Sequence, residues 1–226
     1  MAEALRFAII GAESTGKTTL AAALAPRLAA DTGLKVAWVP ELLRDWCNHV
    51  GRTPQPHEQA SILRGQHDRI EAAAATHDVV ICDTTAMMTA VYSRLLFADR
   101  SLEARAVALQ QRMALTLLTA LDLPWVADPL RDGPHVREPV DRLLRELLIG
   151  HQLPWALVAG QGSARLEAAV DAVAPLLRPA SAARSGLFSR LDERNAEPAA
   201  RRWRCENCDD PACEHRLLQP GATGAY

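Results

Sequence analysis

Lysine is nearly missing from this chain. Only Lys17 and Lys35 are lysines among 25 basic residues. A sequence that otherwise uses arginine keeps lysine where a compact point charge is wanted. Long apolar runs are missing too: no stretch reaches the roughly 20 residues of a membrane span. The first strand-like run starts at residue 5, so no secretion signal is expected ahead of it. Five cysteines are unevenly placed, with Cys47 and Cys82 isolated and Cys205, Cys208 and Cys213 crowded near the end. They make no disulfide framework, and the cytoplasm is the expected compartment. A net charge of −2 and a pI near 6.4 give no global basic field for nucleic acid. There is no internal repeat, and no N-K-x-D segment of the kind a GTPase uses to read its base.

One of the two lysines closes the most informative segment of the chain. Gly11-Ala12-Glu13-Ser14-Thr15-Gly16-Lys17-Thr18 fits the G-x-x-x-x-G-K-[ST] phosphate-binding loop, or P-loop. The buried run Leu5–Ile10 precedes it and the helical stretch from Thr19 follows, which is the context the motif requires. The glycines let backbone N–H groups wrap a phosphate, and the helix N-terminus behind them favours negative charge. Gly11, Glu13, Ser14, Thr15, Gly16, Lys17, Thr18 and Thr19 are the expected nucleotide-binding residues. Lys17 is expected to bridge the β- and γ-phosphates of ATP, and the Thr18 hydroxyl to ligate Mg²⁺.

Apolar runs at Leu5–Ile10, Lys35–Val39, Val79–Cys82, Leu115–Thr119 and Trp155–Ala159 read as five buried strands. Amphipathic or Ala-rich segments lie near residues 17–31, 41–50, 55–76, 84–97, 102–112, 137–150 and 163–177. Such alternation predicts an α/β fold with a parallel sheet and helices on both faces. The texture changes after Leu177, where Pro, Gly, Ser and Ala read as a linker. The expected organisation is a P-loop domain over 1–178, a linker over 179–200 and a Cys-rich tail over 201–226.

Three regions could carry chemistry beside the loop. The run Val79-Val80-Ile81-Cys82 ends in Asp83, at the carboxyl edge of a parallel sheet where ligands bind. Asp83 would ligate Mg²⁺ through water or accept the proton of an attacking hydroxyl; its plain structural role would be to cap the helix expected at Thr84. Glu41 and Arg44 share one face of a first helical turn after Pro40. They are either an exposed ion pair worth a few tenths of a kcal/mol, or a carboxylate and an arginine that hold substrate. The segment from Asp122 to Gly133 carries Trp125, Asp128 and Arg131 and reads as a lid, with Arg131 closing over the γ-phosphate. Trp125 would stack on a planar ring or serve as core.

Taken in order, G-A-E-S-T-G-K-T-T-L, V-P-E-L-L-R, a Gln/His-rich helix, I-C-D-T-T and L-D-L-P-W-V-A-D-P-L-R-D-G resemble the ribosylnicotinamide kinase domain of bifunctional NAD-biosynthesis regulators and their AAA-type ATPase/kinase relatives. The resemblance spans about residues 5–175 and departs at Pro129, where the family usually reads glycine after the aspartate. It implies a P-loop NTPase fold with strand order 2-3-1-4-5. It also implies transfer of phosphate from ATP to the 5′-hydroxyl of nicotinamide riboside. By the same resemblance Lys17, Asp83, Glu41 and Arg131 are catalytic, Thr18 and Asp83 serve Mg²⁺, and Glu41, Arg44, Trp125 and Asp128 hold the nucleoside. Another nucleoside, a polynucleotide 5′-end, or a nucleotide-switched regulatory ATPase are the alternatives.

The tail reads C-x₂-C-x₄-C-x-H over Cys205, Cys208, Cys213 and His215. These four can close a tetrahedral Zn²⁺ site whose binding energy would fold a segment with little core of its own. A redox C-x-x-C pair or adventitious thiols are the alternatives; the His in register after the third Cys and the absence of a βαβ context around the pair favour zinc. Arg201, Arg202, Trp203 and Arg204 make a small basic patch, too little by itself to indicate nucleic-acid binding.

Overall fold

A computed structural model describes residues 3–127 and 133–181. These lie within the first of two compact units, 1–188 and 189–226. The strands are β1 (Leu5–Ile10), β2 (Val36–Val39), β3 (Val79–Asp83), β4 (Leu115–Thr119) and β5 (Trp155–Val158). The helices are α1 (Lys17–Thr32), α2 (Leu42–Val50), α3 (Gln59–Ala74), α4 (Ala86–Phe97), α5 (Glu103–Gln110), α6 (Arg137–Gly150) and α7 (Gly162–Ser181). All sheet pairs are parallel, in the order β2-β3-β1-β4-β5. That is the expected P-loop architecture.

Side chains alternate across a strand, and this sorts the core into two layers. Ala8 and Ile10 of β1, Val80 and Cys82 of β3 and Leu118 of β4 form one cluster with Met87, Val91, Leu144 and Leu148 from α4 and α6. Phe7, Ile9, Ile81 and Leu117, all fully buried, point to the opposite face, which α1 and α7 cover. There α1 repeats Leu20, Leu24 and Leu28 at helical spacing, all buried. Each such side chain contributes about 1.5–3 kcal/mol relative to exposure. The expectation of five buried strands holds for the inner three. The outer two have only one sheet neighbour, and Trp38 and Leu157 are 40% and 48% exposed.

The single helix expected over 55–76 is divided. Pro56 opens a 3₁₀ turn, Pro56–Glu58, in which Gln55 and Glu58 cap one another reciprocally, and α3 begins at Gln59. A ring at the first helical position suits a turn that begins there rather than one running through. Strand register then sets the functional edge. Ile9 lies opposite Asp83 and Leu117, Val39 opposite Cys82, and Val158 opposite Thr119. The segments leaving β1, β2, β3, β4 and β5 therefore emerge side by side.

Candidate active site

The P-loop joins β1 to α1, and two of its glycines are dictated by geometry. At Gly11, φ is +152°, and a Cβ there would lie 2.1 Å from Thr119 Oγ1. At Gly16, the left-handed residue preceding α1, φ is 74° and a Cβ would meet Leu123 Cδ1 at 3.0 Å. The space denied at Gly11 serves a buried hydrogen-bond chain: Thr119 Oγ1 donates to Thr15 Oγ1 at 2.7 Å, and Thr15 Oγ1 donates to the Ala12 carbonyl at 2.8 Å. Lys17 Nζ donates to the same Ala12 carbonyl at 2.8 Å. The lysine head thus lies over the loop it belongs to, pointed away from the core.

Asp83 is 1% exposed. Both its carboxylate oxygens are buried without a hydrogen bond of ordinary length. Burial pushes its carboxyl above the ordinary value, while the Thr18 hydroxyl and the charges of Lys17 and Arg44 oppose that rise. It is not a helix cap: Thr85 caps α4, its hydroxyl accepting from the Met87 N–H. Between the two sits Thr84 at φ 69°, a left-handed conformation that is costly for a β-branched residue. Its N–H donates to the Ile9 carbonyl at 3.0 Å. Mg²⁺ takes hard oxygen ligands. A hydroxyl on Thr18 beside a buried carboxylate is a donor set that fits it.

A cavity of about 460 Å³ opens beside the loop. Its walls are residues 13–19 of the loop and helix start, the polar Glu41, Arg44 and Gln59, and the more apolar Leu43, Cys47, Pro54, Tyr92, Leu96 and Phe97. Glu41 precedes the first turn of α2, and its Oε2 lies 3.7 Å from Arg44 Nε. The ion pair and the placement in the cavity therefore hold together. Burial, with Glu41 adding to it, raises the Cys47 thiol above its ordinary value and keeps it protonated. Gln66, in the Gln/His-rich helix, is a brace: its Oε1 accepts from the Leu42 N–H at 2.7 Å, and its Nε2 donates to the carbonyls of Pro40 and Thr84. Asp83 does not line the cavity; it stands behind Thr18.

The segment after β4 lies along the outer side of the P-loop. Ser14 Oγ and the backbone of Val126 exchange hydrogen bonds at 3.1 Å, and Arg137 donates to the Leu123 carbonyl at 2.8 Å. Trp125 is half-buried and is not among the residues lining the cavity. Asp128 and Arg131 lie outside the described residues, as do Cys205, Cys208, Cys213 and His215. Among the described residues no cluster of His, Cys, Asp and Glu could hold a metal ion by itself, and no helix is long and apolar enough to cross a membrane.

Sequence reading missed the two residues that hold the loop from behind, Thr119 and Arg165, and the bracing role of Gln66 between the segments leaving β2 and β3. Arg165 is 4% exposed in the first turn of α7. A cation there opposes the helix dipole, and that was the signal available.

A five-stranded parallel sheet whose first strand runs through G-x-x-x-x-G-K-T into a helix defines a P-loop nucleotide-binding domain. The chain belongs to the AAA domain family, which matches residues 6–165. No significant match was found among curated proteins. Among solved structures the chain is similar to NadR protein in complex with NR, at 22% identity and TM-score 0.62 over 80% of this chain and 53% of that one. A second NadR structure, in complex with NAD and AMP-PNP, matches at 23% identity and TM-score 0.57 over 76% and 49%. Thymidylate kinase from Ehrlichia chaffeensis matches at 14% identity and TM-score 0.53 over 74% and 97%. The chain thus spans about half the length of the NadR chains. At these identities the likeness is one of fold.

Proposed function

We propose that the protein is an ATP-dependent small-molecule kinase that phosphorylates the 5′-hydroxyl of a nucleoside, with nicotinamide riboside as the first choice. One observation carries this reading: a single cavity is lined by the phosphate loop, by a carboxylate–arginine pair and by a group of apolar side chains. The loop receives the triphosphate. Glu41 faces the acceptor side, where it can hold or deprotonate a ribose hydroxyl, and Arg44 orients it. Glu41 also neutralises Arg44, which suits an uncharged ribose better than an acceptor that already bears a phosphate. The apolar side chains take the base.

Thr18 and Asp83 would hold Mg²⁺, which when bound neutralises charge on the phosphates. The buried position of Asp83 favours the metal role for it and leaves the acceptor hydroxyl to Glu41. Catalysis is then mostly positioning and electrostatics. Asp128 and Arg131 are proposed to serve the nucleoside and the transferring phosphate. The test is ADP release and thermal stabilisation across a panel of nucleosides with Mg·ATP. Nicotinamide riboside giving neither overturns the first choice, and no nucleoside giving ADP overturns the kinase reading.

The tail is proposed to carry one structural zinc on Cys205, Cys208, Cys213 and His215. Four protein ligands leave no open position for chemistry. About one zinc per chain by elemental analysis is the expected result, and none in protein purified without chelators rejects it.

A further inference from the structure

We infer that Arg165, acting with Asp122, is a positioning residue that sets the phosphate loop against the segments leaving β4 and β5. Its guanidinium serves three pieces of chain. Nη1 donates to the Thr15 carbonyl at 2.8 Å, Nε donates to the Gly160 carbonyl at 2.8 Å, and Nη2 pairs with Asp122 Oδ1. Asp122 closes the figure, its Oδ2 accepting from the Gly160 N–H at 2.6 Å. Arginine alone among side chains offers a planar fork of five donors that can do this. It does not line the cavity, so it acts through the loop and not on a ligand.

The Thr15 bond has a directional consequence. In a trans peptide the carbonyl and the next N–H lie in one plane and point opposite ways. Holding the Thr15 carbonyl toward α7 therefore aims the Gly16 N–H away from α7, into the hollow where a phosphate is received. Thr15 is held on its other side by Thr119, so the peptide is fixed from two directions. Asp122 also begins the segment whose Leu123 approaches Gly16 and whose Val126 is bonded to Ser14. One buried cation thus fixes both the loop and the chain lying against it.

The inference rests on the nucleotide-binding half of the proposed function and not on the acceptor. It is tested by calorimetric titration of the full chain with Mg·ADP, in Arg165→Met, Arg165→Lys, Asp122→Asn and the Arg165→Met/Asp122→Asn double variant. Titration stoichiometry reports the folded fraction and Kd the quality of the loop, so a purely structural role would lower melting temperature and stoichiometry without moving Kd. Expected is a Kd raised about 10- to 100-fold in Arg165→Met at a stoichiometry near one. A smaller rise is expected in Arg165→Lys, and the double variant should be no worse than Arg165→Met. A Kd within about 2-fold of wild type in Arg165→Met, or effects that multiply in the double variant, overturns it. Should Arg165→Met fail to fold, Arg165→Lys and Asp122→Asn decide on the same criterion, and failure of both arginine variants to fold with Asp122→Asn unchanged overturns it as well. A wild type that binds Mg·ADP but phosphorylates no nucleoside rejects the kinase reading and leaves this test readable.

Discussion

Two sides of the cavity are built on different principles. The P-loop is held from beneath by buried hydrogen bonds: Thr119 to Thr15, Thr15 to Ala12, Arg165 to Thr15. The side that carries Glu41 and Arg44 is formed by α2 and the chain leading to α3. Within α2 only Cys47 is buried, and the turn beyond is fixed by an exposed ion pair, Arg52 to Glu58 at 2.7 Å, with Arg52 over the Trp46 ring at 5.2 Å. Buried polar networks specify one arrangement, and exposed ion pairs are weak and screened by salt. On the proposed reading, the side that receives the triphosphate is the more firmly specified, and the side that would meet the acceptor can be reshaped without disturbing the sheet.

The sharpest way to break the comparison is Lys17→Ala. Loss of a preorganised cation at the transferring phosphate should cost about 100- to 1,000-fold in turnover, and because the Lys17 head donates to its own loop, at the Ala12 carbonyl, the melting curve should hardly move. An unfolded variant would show that the lysine belongs to the scaffold.

Asp83→Asn should divide the two readouts. Turnover should fall far more than nucleotide affinity, while the ligand-free protein should gain about 0.5–2 kcal/mol at neutral pH, since the desolvation of a buried charge outweighs the nearby cations and is relieved. The sign follows from the raised carboxyl value. With the protonated form favoured in the fold, the group's contribution is fully present below the ordinary aspartate value and is lost as pH rises through the raised one. Turnover runs the opposite way and falls as acid neutralises the carboxylate. Denaturation and kcat measured across pH 4–8 check both, and a destabilised Asn variant would contradict the burial cost.

Gly11→Ala tests the more firmly specified side through packing. A methyl placed against Thr119 should cost about 2–4 kcal/mol in chemical denaturation; a near-neutral result would mean that the floor yields. The smallest effect is expected from Arg52→Ala: little change in melting temperature, unchanged nucleotide affinity and a several-fold rise in acceptor KM. A large loss of stability there would erase the contrast between the two sides.

Most of this contrast is invisible in the sequence, and the reason is distance along the chain. All five strands were legible because sheet strands here are predominantly apolar runs, and the P-loop because its residues are contiguous. Asp83 was legible from the run that ends in it. Arg165 meets Thr15 from 150 residues away, and Thr119 meets it from 104. Neither pair leaves a local pattern, because a side chain reaching across strand exits has no period. Gln66 was visible as a polar residue in a helix, but its three backbone partners were not. The division at Pro56 was a local signal passed over, since Pro at a helix start also marks the end of what precedes it.

Thr84 gives an engineer a place to begin. Its left-handed backbone is forced by the turn that delivers Asp83 and starts α4, so the chain carries that strain permanently beside its chemistry. Asparagine tolerates the conformation and keeps a polar side chain. Thr84→Asn is therefore a route to a hardier scaffold for directed evolution, spare stability that acceptor-side mutations could later consume.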